Sequence, residues 1–146
     1  MNGTGLKVRL ANRLSEIEPL AEAVEAFCEE HEVPPQSVFH LNLVLDELIT
    51  NIVSYGYDDE GPHEIEVRLE LAGGRLTAEV VDDGRPFDPL SAPPPDLDAS
   101  LEDRAIGGLG VHFLRTLMQD VEYRRNGTLN QIRFSKTLAA GDETDR

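Results

Sequence analysis

Residues 64–71, Glu-Ile-Glu-Val-Arg-Leu-Glu-Leu, alternate polar and apolar side chains without a break. That is the period-2 signature of a strand with one buried face. Gly73-Gly74 follows, and then Leu76-Thr77-Ala78-Glu79-Val80-Val81. A Gly-Gly pair between two such runs supplies the left-handed backbone of a two-residue hairpin, so the strands are predicted to be adjacent and antiparallel. The pattern recurs near the C-terminus, where Val121-Glu122-Tyr123-Arg124 and Gln131-Ile132-Arg133-Phe134 flank the turn signal Asn126-Gly127. Strands joined as hairpins exclude a doubly wound parallel sheet, whose strands are separated by helices.

Leu6-Lys7-Val8-Arg9-Leu10 reads as a further strand. Ser15-Glu16-Ile17-Glu18-Pro19 reads as a helix start, with a capping serine and then acids and a proline in the first turn; the helix is expected to run to about His31. Val33-Pro34-Pro35-Gln36 breaks it and launches a second helix that ends near Gly56. Phe39, Leu43, Leu48 and Ile52 are read as the row holding this second helix against the sheet. Gly107-Gly108-Leu109-Gly110 opens a third helix, Val111 to Met118. The order β-α-α-β-β-loop-α-β-β predicts an α+β fold: a two-layer α/β sandwich with helices on one face of a mostly antiparallel sheet. At 146 residues and 40% hydrophobic, the chain fits one domain with a proper core. Residues 1–138 are expected to form it, and residues 139–146 a frayed tail.

Thirteen basic against 28 acidic residues give a net charge of −15. Such a surface repels phosphate backbones, which disfavours direct nucleic-acid binding and suits a partner with a basic patch. A nucleotide site would then need a metal or backbone N–H groups to compensate locally. The single cysteine, Cys28, rules out an internal disulfide and reads as a small buried hydrophobe in a helical run. His31, His40, His63 and His112 are scattered without metal-ligand spacing, so zinc is not expected. The first twenty residues lack the apolar core of a signal peptide, and no run approaches the roughly 18 apolar residues of a membrane span. The expectation is a cytoplasmic protein with no membrane contact.

Three segments carry candidate chemistry. On the second helix Glu47 and Asn51 are four apart, so they stack one turn above each other. A carboxylate and an amide placed this way serve one metal ion or one hydroxyl, or are simply a polar pair on an amphipathic helix. In Val81-Asp82-Asp83-Gly84-Arg85-Pro86-Phe87-Asp88-Pro89 a strand ends in an acid followed by a glycine. The carboxylate can accept a hydrogen bond from a buried amine while the glycine admits a ligand closely; the plain alternative is an Asp-Gly turn. In Ile106-Gly107-Gly108-Leu109-Gly110 glycines precede a helix whose free N–H groups suit phosphates. No lysine follows as in a P-loop, and no strand leads in as in a Rossmann fingerprint. The stretch from Asp83 to Ile106, with Pro86, Pro89, Pro93, Pro94 and Pro95, is a long loop of the kind that is functional or disordered.

In this order and with this loop between the second and third, the three segments resemble the N, G1 and G2 boxes of the GHKL ATPase superfamily, the Bergerat nucleotide-binding fold. Asp46-Glu47-Leu48-Ile49-Thr50-Asn51 with Tyr55-Gly56-Tyr57, Asp83-Gly84-Arg85-Pro86-Phe87-Asp88-Pro89, and Gly107-Gly108-Leu109-Gly110-Val111-His112-Phe113 are similar to its serine-kinase anti-sigma-factor branch. The resemblance spans about residues 6–138. It implies ATP and Mg²⁺ as cofactors, with Asn51 coordinating Mg²⁺ and Glu47 acting as general base or orienting the attacking hydroxyl. It implies that Asp82 accepts the adenine amino group, that Gly84 lets the ring lie close, and that Gly108 and Gly110 present N–H groups to the phosphates. The loop of residues 88–106 would be the ATP lid. Arg104 is a candidate phosphate contact from it, or a solvated side chain, and Thr128 a candidate for the adenine pocket. The function that the resemblance implies is an anti-sigma-factor serine/threonine kinase that phosphorylates a STAS-type anti-sigma-factor antagonist and sequesters a sigma factor or other regulator, as a homodimer. The alternatives are a non-catalytic, ATP-dependent binding module in the same kind of partner switch, and, more weakly, an ATPase subunit of a DNA topology or repair machine. One departure stands out: Pro86 occupies the place of the second glycine in the superfamily's Asp-x-Gly-x-Gly.

Overall fold

The computed structural model describes residues 4–57, 61–88 and 109–138. Its elements are β1 (Thr4–Ala11), α1 (Ile17–Glu30), α2 (Pro35–Tyr55), β2 (Glu64–Ala72), β3 (Arg75–Asp82), α3 (Leu109–Leu117), β4 (Gln119–Asn126) and β5 (Leu129–Thr137). The strands form one sheet in the order β1-β2-β3-β5-β4, and every neighbouring pair is antiparallel. The fold is the expected α+β sandwich.

The hairpins follow from their turn residues. Gly73 and Gly74 both have positive φ, 58° and 73°, the conformation a tight hairpin demands and side chains resist. At the second hairpin Asn126 pairs with Leu129, so the two loop residues are Gly127 and Thr128, one place later than the Asn-Gly signal suggests. Alternation then sorts the faces. Val67, Val80 and Ile132 stand side by side, as do Leu69, Ala78 and Phe134, and all six are buried. On the opposite face Arg68, Glu79 and Arg133 are in register, and Arg68 Nη1 donates to Glu79 Oε1 at 3.0 Å. One face of the sheet is therefore core and the other charged.

On α2 the buried side chains are Ser37, Leu41, Val44, Leu45, Leu48, Ile49 and Ile52. This corrects the apolar row read from the sequence. At about 100° per residue, the nine steps from Phe39 to Leu48 end about 180° from the start, so Phe39 and Leu48 cannot share a face. Leu41, Leu45, Leu48 and Ile52 do share one, and Phe39 is 64% exposed. Replacing Phe39 by serine is expected to change stability by no more than about 0.5 kcal/mol; a larger loss in a urea titration would mean that Phe39 packs in the folded protein. The start of α1 also differs from expectation. Ser15 lies in a single 3-10 turn, and α1 has no side-chain cap; Glu16 Oε1 instead accepts the Ala11 N–H at 3.0 Å. Cys28 is fully buried and burial pushes its thiol up to about 11, in keeping with a core hydrophobe. Among the described residues no helix is long and apolar enough to cross a membrane.

Candidate functional site

Two backbone contacts bring α2 and the end of β3 together. The Arg85 N–H donates to Gly56 O at 2.8 Å, and a Cβ added at Gly84 would meet Gly56 O at 2.7 Å. Only a glycine lets the loop after β3 lie this close to the end of α2. Between them is a cavity whose walls include Leu48, Asn51, Ile52, Asp82, Asn130 and Ile132, with Pro86 and Phe87 at its side. Apolar surfaces form most of it and two or three polar groups converge in it, the usual make-up of a small-molecule site.

Asp82 is 3% exposed. Its Oδ1 accepts the Gly84 N–H at 2.8 Å and the Asn130 Nδ2–H at 3.0 Å. Both bonds fall on Oδ1, so Oδ2 can accept a further hydrogen bond. Burial raises the pKa of the carboxyl above its ordinary value, and the bonds from Asn130 and Gly84 pull the other way. The next residue, Asp83, belongs to a different cluster. Its Oδ1 accepts the Tyr57 hydroxyl at 3.0 Å and lies 3.3 Å from His63 Nδ1, while the Tyr57 and His63 rings stack at 4.0 Å. This cluster ties the segment after α2 to the loop after β3.

Asn51 lines the cavity one helical turn beyond Glu47. Its Nδ2 is buried and has no hydrogen-bond partner among the described residues. The two ends of an amide are alike in shape, so Asn51 can offer the cavity it lines a neutral oxygen. No group of three or more His, Cys, Asp or Glu side chains that could hold an ion exists among the described residues. An ion here would draw most of its ligands from substrate oxygens and water, the habit of Mg²⁺ rather than of a caged metal. Glu47 is partly buried, and desolvation, then the charge of Asp46, raises its pKa. A carboxylate made more basic in this way is a better proton acceptor.

The structure thus brings Asn51 and Asp82 into one cavity, with Gly84 in contact with Gly56 beneath it and Glu47 a turn away on α2. Gly110 lies in the first turn of α3, where backbone N–H groups lack helical partners. Thr128 is exposed in the β4–β5 turn. Arg104, Gly108, most of the expected lid and the tail lie outside the described residues. Sequence reading missed Asn130. It sits directly opposite Asp82 and is 3% exposed. Its signal was available: Asn130 falls in step with Ile132 and Phe134, so a polar residue occupies an inward position of an alternating strand.

Residues 10–136 match the family described as "Histidine kinase-like ATPase domain". The chain is 32% identical to "Serine/threonine-protein kinase BtrW" of Bordetella bronchiseptica over 69% of its own length and 71% of the relative's. It is 32% identical to "Serine-protein kinase RsbW" of Bacillus velezensis over 59% of its own length and 56% of the relative's. It is 24% identical to "Anti-sigma F factor" of Clostridium botulinum over 66% of its own length and 67% of the relative's. A crystal structure of the RsbU and RsbW domains of Rv1364c from Mycobacterium tuberculosis superposes with a TM-score of 0.67 at 16% identity, covering 92% of this chain and 32% of that one; that likeness speaks to the fold. The chain belongs to the histidine kinase-like ATPase domain family, of GHKL type, among relatives named as anti-sigma-factor and serine/threonine kinases.

Proposed function

We propose that the protein is an ATP-dependent serine/threonine-protein kinase of a partner-switching pair: it phosphorylates a STAS-type anti-sigma-factor antagonist and, in its other state, holds a sigma factor or similar regulator. Residues 1–138 form the kinase domain in this reading, and the working unit is a homodimer. The observation that carries it is one cavity lined by both the buried Asp82 and Asn51, whose Nδ2 has no hydrogen-bond partner among the described residues, with Glu47 one turn along α2.

The chemistry divides among the residues as follows. Asp82 Oδ2 accepts the exocyclic amine of adenine, and Leu48, Ile52 and Ile132 offer the flat ring apolar walls. Gly110, with Gly108, presents backbone N–H groups to the phosphates. Asn51 would hold Mg²⁺, which supplies charge neutralisation to the phosphates when bound. Glu47 takes the Oγ proton of the partner's serine or threonine as that oxygen bonds to the γ-phosphorus and ADP departs with the broken P–O bond.

Incubating the purified protein with labelled Mg-ATP and a STAS protein from the same genome tests the reading: label is expected on a serine or threonine of the STAS protein. Tight ATP binding without labelled partner would replace it with a binding module in which ATP only sets conformation. Asn51→Ala is expected to weaken ATP affinity about tenfold in the presence of Mg²⁺ and hardly at all in EDTA, the loss of one ligand being worth about 1.4 kcal/mol. Equal losses in both buffers, measured by calorimetry, would remove Asn51 from the metal site.

A further inference from the structure

We propose that Arg125 and Tyr123, acting through Asn130, fix the polarity of Asp82 so that the cavity selects a 6-amino purine over a 6-oxo purine. The inference rests on the nucleotide reading above and adds to it the residues that set base choice.

The two ends of an asparagine amide have nearly the same shape, and their neighbours decide which end points where. A guanidinium has only donors. Arg125 Nη1 lies 3.2 Å from one end of the Asn130 amide, so that end is Oδ1, and the Tyr123 hydroxyl donates to the same atom. The NH₂ end is then forced toward acceptors: Asp82 Oδ1 at 3.0 Å and Arg85 O at 2.9 Å. Arg125 Nη1 also donates to Gly84 O at 2.8 Å, which holds the loop after β3 in place. With the Gly84 N–H, Asp82 Oδ1 receives two donors, and hydrogen bonds to a carboxylate favour its charged form against the cost of burial. Oδ2 is left as a pure acceptor at the cavity. A 6-amino purine meets it with an N–H. A 6-oxo purine meets it with a carbonyl oxygen, and two acceptors face each other without a proton between them.

Without Asn130 the buried carboxyl loses one of its two donors. Asp82 then holds its proton more readily, and a neutral carboxyl can donate to a 6-oxo group as well as accept from a 6-amino group. The same follows if the amide of Asn130 is free to turn over. Tyr123→Phe with Arg125→Met frees it: phenylalanine keeps the ring that packs against the core, and Arg125 is exposed.

The test is calorimetric titration of the full chain with Mg-ATP and Mg-ITP at neutral pH. The native protein is expected to prefer ATP. In Asn130→Leu and in the double variant the ATP-to-ITP affinity ratio is expected to fall about tenfold, the size of one hydrogen-bond preference. General damage to the fold lowers both affinities together and leaves the ratio where it was. An unchanged ratio in the double variant overturns the proposal, and so does a native protein indifferent to the two nucleotides. A native protein that binds neither removes the nucleotide reading itself.

Discussion

Glu47→Gln is expected to lower phosphate transfer to the partner by about 10²- to 10⁴-fold, the usual worth of a positioned general base, while ATP affinity stays within about twofold of native. The amide keeps the size of the side chain and its place on α2, so the substitution removes the basic oxygen and little else. Glu47 is not among the residues lining the cavity, whereas Asn51 is, which is why binding and transfer should separate here and not at Asn51. The pH dependence has a definite sign. The base must be ionised, and burial together with Asp46 raises its pKa above the usual 4.5. Transfer should therefore fall as pH drops through a value above 4.5, and the glutamine variant's residual rate should lack that limb. Native-rate transfer in Glu47→Gln, followed by labelled phosphate on the partner, would take Glu47 out of the mechanism.

The fold is legible in the sequence wherever a short local pattern decides it. Gly73-Gly74 dictates a hairpin through the left-handed backbone at both residues, and the alternation of residues 64–71 dictates which face is core. The helix breaks at Pro34-Pro35 and Gly56 are equally local. What fails is placement that depends on phase or on distant partners. Spacing alone groups Phe39 with Leu48, yet the two are about half a turn apart around the helix. Ser15 has the chemistry of a cap, but the chain enters α1 through a 3-10 turn and Glu16 takes the bond to β1 instead. At the site, Asp82 and Asn51 are legible because each sits in a short motif. Asn130 is not, because its role comes from a strand 48 positions away along the chain. A polar residue in an inward register position marks the place but not the partner.

Asp82→Asn is expected to weaken ATP binding by about 10- to 100-fold while making the folded protein more stable at neutral pH. The binding loss follows from reversing a hydrogen bond: the asparagine Oδ1 can still accept from Gly84 and Asn130, which leaves Nδ2 facing the adenine amine, donor against donor. A bond to a charged group is worth about 1.5–3 kcal/mol. The gain in stability follows from burial. In the native protein the carboxyl is 3% exposed and its pKa lies above the ordinary 3.8. Below that ordinary value both folded and unfolded chains are protonated here, and the group costs nothing. As pH rises from there through the folded pKa, the unfolded state gives up its proton more readily and stability is lost. An amide does not titrate, so the difference in melting temperature between Asp82→Asn and native should be largest near pH 7 and shrink toward pH 4. Lower stability in the variant at neutral pH would mean that the Gly84 and Asn130 bonds more than offset the burial of the charge. Unchanged ATP affinity would place the adenine elsewhere. The expected pairing, tighter folding with weaker binding, is what distinguishes a carboxylate kept for its ligand from one kept for the fold.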